Sequence, residues 1–232
     1  MISNIFRRYA ARLALMLIIS FFSPAEAAAP EWLKYFTFSE KGVLRIWKEK
    51  LLKTKVDYKV INEPETGDYV RAIANVAASG IYYEIKYNPK ERPYLSWKWK
   101  VYQFPKKSAN EDDFAARIYV IFPANIFIMS RCIEYVWDSK LPEGTVTKSP
   151  LSGRIKVIVL RSGKKEGWVQ EERNVFQDYL KVYNEEPEDF DDKVGAVAFM
   201  TDTDDTKSRS QVAFDEFKIG YKKPQFRSPA TK

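Results

Sequence analysis

Apolar and polar residues alternate along much of the chain with a period of two, the signature of half-buried β-strands. From Tyr94 to Tyr102, Leu95, Trp97, Trp99 and Val101 fall on one face, with Ser96, Lys98 and Lys100 on the other. From Val70 to Val76 the inward set reads Val70, Ala72, Ala74 and Val76, against Arg71 and Asn75. Ile81, Tyr83, Ile85 and Tyr87 alternate with Tyr82, Glu84 and Lys86. The same reading places strands near Leu44–Trp47, Val56–Ile61, Phe114–Phe122, Cys132–Trp137, Arg154–Leu160, Val194–Met200 and Val212–Ile219. Turn residues separate them: Glu65-Thr66-Gly67-Asp68, Ser79-Gly80, Asn88-Pro89, Pro142-Glu143-Gly144 and Ser162-Gly163.

One segment has a helical period. Asn174 can cap it, with Gln177 completing a capping box. Phe176, Tyr179, Leu180 and Tyr183 then form an apolar stripe, and Pro187 lies past the end. About ten strands and one short helix, near 174–185, predict an all-β fold: a jelly-roll-like sandwich of two antiparallel sheets. No repeat or linker divides residues 28–220, so one domain is expected there, followed by a basic, fraying tail over 221–232.

The N-terminus breaks the strand pattern. Arg7, Arg8 and Arg12 precede an apolar run from Leu13 to Phe22, followed by Ala25-Glu26-Ala27. This three-part layout predicts a secretory signal peptide over 1–27 and a periplasmic or secreted protein. The run is about half the length a membrane span needs, so no stable transmembrane segment is expected after cleavage. The competing reading is an uncleaved anchor. Later in the chain, Ile118 to Trp137 is apolar overall but carries Arg131 and Glu134, which are costly in lipid.

Composition narrows the chemistry. The chain has 232 residues and no His, which excludes Ser-His-Asp and Cys-His catalysis, His-bound zinc and a proximal-His haem. A single cysteine, Cys132, excludes an internal disulfide and reads as a buried thiol among Ile128, Met129 and Ile133. Losing residues 1–27 removes three Arg and one Glu, leaving 35 minus 30, or +5. Mild basicity suits anionic glycans and lipid head groups. With an export signal, nucleic acid is not an expected partner.

Several segments, in order, resemble an exported bacterial family of unknown function, domain of unknown function number 3047. They are Leu95-Ser96-Trp97-Lys98-Trp99, Asp112-Asp113-Phe114-Ala115-Ala116-Arg117, Glu134-Tyr135-Val136-Trp137, Arg173-Asn174-Val175 with Asp178-Tyr179, and Met200-Thr201-Asp202-Thr203-Asp204. The likeness spans roughly Phe36 to Ile219. It implies a β-sandwich similar to galactose-binding-type carbohydrate modules, and no established activity. Two departures stand out: Asp204-Asp205-Thr206-Lys207 where the family often has Asp-Asn-Thr-Gly, and Ala124-Asn125 where it often has a Gly-rich turn.

Four constellations could carry chemistry. Asp202 and Asp204 point the same way at a strand end, a spacing that suits Ca2+, the one candidate cofactor. The competing reading is an acidic turn that bonds its own backbone. Asp112 and Asp113 lead into Arg117 and Tyr119, which either meet a ligand or, for Arg117, pair internally with Asp113. Among the aromatic residues Trp97 and Trp99 belong to the core, and Trp137, followed by Asp138, is the surface candidate for stacking on a sugar. The run from Glu185 to Asp192 reads as a solvated acidic loop. The expected function is an exported, non-catalytic binding module for a glycan or envelope component. The alternatives are an assembly protein that binds another protein, and a carboxylate-based glycan-active enzyme.

Overall fold

A computed structural model describes residues 31–65, 67–108 and 112–223. The expected signal segment lies outside them, as do Glu111 and the tail beyond Lys223. The described residues form a two-sheet, mostly antiparallel β-sandwich with one α-helix, the expected fold class. In chain order the strands are β1 (Lys34–Phe36), β2 (Lys48–Leu51), β3 (Asp57–Glu63), β4 (Gly67–Asn75), β5 (Ala78–Tyr87), β6 (Tyr94–Gln103) and β7 (Ala116–Phe122). Next come β8 (Arg131–Asp138), β9 (Val146–Ser149), β10 (Ser152–Ser162), β11 (Val169–Asn174), helix α1 (Val175–Tyr183), β12 (Val194–Asp202) and β13 (Arg209–Tyr221).

One sheet runs β11-β6-β13-β4-β3, with β1 also paired to β13, and the other runs β2-β5-β12-β7-β8-β10-β9. Between them lies the core that the alternation predicts. Leu95, Trp97, Trp99, Phe214 and Phe217 come from the first sheet, and Ile118, Val120, Tyr135 and Phe199 from the second, all fully buried. Trp97 and Trp99 meet edge to face with centroids 5.4 Å apart. The helix closes one end. Asn174 Oδ1 accepts the Gln177 backbone N–H at 3.0 Å, and Asn184 ends the helix in the left-handed region. Tyr179 packs its ring 4.8 Å from Phe122 and Phe190.

Three local expectations differ from the structure. Residues Val43–Ile46 form a 3-10 turn, not a strand, entered through Gly42 at φ 81. Val76 does not extend the inward face of β4. It sits at φ 51, donates its N–H to Ser208 O at 3.0 Å, and is exposed. Pairing is not wholly antiparallel: β10 runs parallel to β8, with β9 folded back on the outer edge of β10. Tyr221, at the start of the expected tail, is the last residue of β13, and its ring lies 5.4 Å from Tyr94.

Candidate functional site

The outward face of the seven-stranded sheet carries three of the candidate residues, Arg117, Tyr119 and Asp202, because alternation sends every second side chain away from the core. On β7, Ile118, Val120 and Phe122 point inward, leaving Arg117, Tyr119 and Ile121 outward. On β12, Val197 and Phe199 point inward, leaving Ala196, Ala198, Met200 and Asp202 outward. The register aligns Lys48, Tyr82, Ala198, Tyr119, Glu134, Val157 and Thr147 in one rung across all seven strands.

At one end of this face lies a buried ion cluster. Arg117 Nε donates to Asp202 Oδ1 at 2.9 Å, and Nη2 donates to Oδ2 at 2.5 Å. Nη1 donates to Glu134 Oε1 at 2.5 Å, and Nη2 also reaches the Asp112 carbonyl. Phe114 lies under the guanidinium at 4.5 Å, and Lys107 Nζ lies 3.9 Å from the same ring while pairing with buried Asp138 at 2.6 Å. One guanidinium thus serves two buried carboxylates, with the Asp112 side chain a further 3.9 Å away. Burial pushes the Asp202 carboxyl up to about 7 against the pull of Arg117, and the charge of Asp113 adds to the rise. Burial also raises Asp112 and the Tyr119 phenol.

Asp113 is not the partner of Arg117. It is fully buried, and its two oxygens accept the backbone N–H groups of Asp205 and Thr206 at 3.3 and 2.6 Å. This ties the loop before β7 to the turn after β12. Asp113, Asp202 and Asp204 each offer one oxygen within a 4.8 Å cluster. Those of Asp113 and Asp202 are already engaged by N–H donors, and Lys53 approaches Asp204 at 3.7 Å. The donor set is therefore that of a locked turn, and a cation would have to displace Arg117 or the turn's N–H groups.

Trp137 is a correction. It is fully buried, lies 5.6 Å from Trp99, and donates Nε1–H to Gly163 O at 2.8 Å. The residue after it does not set its direction; the phase of β8 does, placing Ile133, Tyr135 and Trp137 inward and Cys132, Glu134 and Val136 outward. That phase was the available signal for Glu134, which sequence reasoning missed as the second partner of Arg117. Cys132 is buried as expected, and burial pushes its thiol up.

Away from the ion cluster the central strand β12 turns two small residues outward, Ala196 and Ala198, each only 8% exposed. Ala198 stands directly between Tyr82 on β5 and Tyr119 on β7, and Ala196 between Glu84 and Ile121. Small side chains on the central strand are thus flanked, and largely covered, by long ones. Beyond Ala196 lies an open depression of about 980 Å³ lined by Glu84, Lys86, Asn125, Asp192, Lys193 and Gly195. Gly195 leaves room there for Pro123, whose Cγ would lie 2.5 Å from an added Cβ.

Fold and site together define a β-sandwich protein with a buried ion cluster at one end of its seven-stranded sheet and an open depression toward the other. The chain belongs to the family described as Protein of unknown function (DUF3047), whose model matches residues 45–218. No curated protein matches it. Among solved structures it is similar to endoglucanase cel12A from Rhodothermus marinus, at 12% identity and TM-score 0.44, covering 76% of this chain and 96% of that one. It is also similar to the CBM22-1 xylan-binding domain of Paenibacillus barcinonensis Xyn10C, at 12% identity and TM-score 0.41, covering 84% and 97%. A third is the family 30 carbohydrate-binding module of a Clostridium thermocellum cellulosomal cellulase, at 12% identity and TM-score 0.40, covering 75% and 90%. None of these likenesses carries a ligand or an activity to this chain.

Proposed function

We propose that this chain is an exported, non-catalytic binding module that takes an extended glycan of the cell envelope along the outward face of β12. The observation that carries the reading is the rung Tyr82–Ala198–Tyr119, a small residue between two rings on the strands that flank β12. A linear strand face suits a polymer, and flat tyrosine rings suit sugar faces. Glu84 and the open depression supply polar groups at the far end. The ion cluster supports binding more than catalysis, because both oxygens of Asp202 are held by Arg117 and neither is free to act on a substrate. Export rests on the arginine-led apolar run and Ala25-Glu26-Ala27. Among the described residues no helix is long and apolar enough to cross a membrane.

A glycan array probed with the purified mature protein tests this reading. Ala198→Trp, which obstructs the face between Tyr82 and Tyr119, is expected to abolish any signal, with a melting curve showing that the variant is folded. A signal indifferent to Ala198→Trp and Tyr82→Ala removes the β12 face as the site.

A second reading, a protein-binding assembly factor, is favoured by one observation. Ile126, Ile128 and Met129 stand exposed on the loop after β7, at 63%, 76% and 44%. An Ile126→Ser/Ile128→Ser variant that loses a cross-linked envelope partner, with glycan binding absent throughout, would select that reading.

A further inference from the structure

The outward face of the six-stranded sheet, on the opposite side of the sandwich, is also built unlike a plain solvated surface. Its register aligns Lys100, Ala213, Arg71 and Lys59 on one rung, and Gln170, Lys98 and Asp215 on the next. Ala213 points away from the core and is nevertheless fully buried. Trp168, the residue before β11, brings its ring to 5.4 Å from Tyr69 on β4. Strands β6 and β13 separate those two strands, so the indole reaches back across the sheet. Gly167 at φ 74 supplies the left-handed turn that sends it there. Tyr102 is 42% exposed, with Lys100 Nζ 4.8 Å over its ring. Two polar atoms of this face are buried without a hydrogen-bond partner: Arg71 Nε and Asp215 Oδ1. Asp215 itself is 8% exposed.

We propose that this face is a second binding site, for an acidic saccharide, with Trp168 and Tyr102 as stacking rings and Arg71 and Lys100 as its cations. It stands beside the β12 site and does not rest on it. Arg71 on β4 and Lys98 and Lys100 on β6 stand on either side of β13, and Lys98 is taken up by Glu216 at 2.6 Å, which leaves Arg71 and Lys100 to meet a ligand. That charge balance favours a carboxylate-bearing sugar over a neutral one. Flat rings flanking the cations supply the apolar contact that a saccharide ring needs. With one site on each outer face, the module could hold two chains at once, and avidity would follow from their separation.

Affinity electrophoresis of the mature protein in native gels containing polygalacturonate, with dextran as the neutral control, tests this. Wild type is expected to be retarded by polygalacturonate and not by dextran. Trp168→Ala and Lys100→Glu are each expected to weaken the retardation by about tenfold or more, as for a ring or cation at the centre of a site. Trp168→Phe should keep it, and melting curves confirm that each variant is folded. Ala198→Trp, which obstructs the β12 site, should leave it intact. The proposal is overturned if wild type is not retarded by polygalacturonate, or if dextran retards it equally. It is also overturned if Trp168→Ala and Lys100→Glu migrate as wild type. Loss in Ala198→Trp alone overturns it too, but assigns the acidic chain to the β12 site and leaves that reading standing.

Discussion

Arg117 and Asp202, 85 positions apart, meet fork to fork: Nε donates to Oδ1 at 2.9 Å and Nη2 to Oδ2 at 2.5 Å. The pair joins the start of β7 to the end of β12, and both residues are buried. Planar bidentate geometry of this kind needs arginine, because a lysine ammonium cannot present two parallel donors. Removing the cation leaves Asp202 and Glu134 buried without compensation. Arg117→Met is therefore expected to cost about 3–5 kcal/mol, the range for breaking a buried ion pair by deleting one partner. Urea denaturation measures this. Adding Asp202→Asn and Glu134→Gln to Arg117→Met should recover much of the loss, and a triple variant no more stable than the single one would argue against the charge explanation.

Trp99 is fully buried, and its Nε1–H donates to Glu171 Oε1 at 3.1 Å, an oxygen that Arg161 also holds at 2.6 Å. Trp99→Ala opens a cavity and removes one donor from a buried carboxylate. A loss of about 3–5 kcal/mol is expected. A denaturant midpoint that barely moves would place the ring outside the core.

How much of this was legible in the sequence depends on whether a property is local. The inward faces of β5 and β6 were readable, since alternation is written in consecutive residues. The helix at 175–183 was too, from its cap and stripe. The parallel pairing of β10 with β8 was not, because nothing within either strand states its partner. Arg117, Asp112, Asp113, Asp202 and Asp204 were singled out as chemistry-bearing, and the structure brings them to one end of the sandwich. Their wiring differs from the expected one: Arg117 takes Asp202 and Glu134, while Asp113 locks the 204–207 turn. Trp137 was misplaced because the acidic residue after it was weighed above the phase of its own strand. Trp168 carried no local signal, as its position over Tyr69 follows from a glycine turn and the order of four strands.

Gly195 and Pro123 form the lip of the depression beyond Ala196, and a methyl group on Gly195 would lie 2.5 Å from Pro123 Cγ and 2.7 Å from Cδ. A proline ring is too rigid to yield. Gly195→Ala is expected to cost about 1–3 kcal/mol, as overpacking does. Because the clash is with one residue, Pro123→Ala in the same chain should restore most of it. A double-mutant cycle with no coupling would show that the strain lies elsewhere.

Asp215 gives the protein a pH dependence of defined sign. Burial pushes its carboxyl up to about 7, the charge of Glu216 adds to the rise, and Lys98 opposes it. An unfolded Asp releases its proton near 3.9. Between about pH 4 and pH 7 the native state therefore binds more protons than the unfolded one, and stability falls as pH rises through that window. Asp202 acts in the same direction. Asp215→Asn removes one of the two groups. It should be more stable than wild type near pH 8 and gain little near pH 4.5, where the native Asp215 is already neutral. Urea midpoints for the two proteins that stay parallel from about pH 4.5 to 8 would show that Asp215 does not hold its proton.

Calcium is the remaining test of the acidic turn. Asp113, Asp202 and Asp204 lie close enough to share an ion. A hard cation wants six to eight oxygens with free lone pairs. Here the Asp113 oxygens each accept a backbone N–H, and the Asp202 oxygens each accept from Arg117, whose charge would repel an incoming cation. Lys53 adds a second positive group beside Asp204. Millimolar Ca2+ is thus expected to leave the melting temperature unchanged, whereas a ligand of the native state alone would raise it by mass action. Asp204→Asn should be nearly silent, because Lys53 is a half-exposed partner at 3.7 Å and pairs of that kind contribute about 0–1 kcal/mol. Asp113→Ala should instead be strongly destabilising in either condition, since two backbone N–H groups lose their acceptor. A Ca2+-dependent rise in wild type that disappears in Asp204→Asn would establish the metal site and displace the turn-lock account.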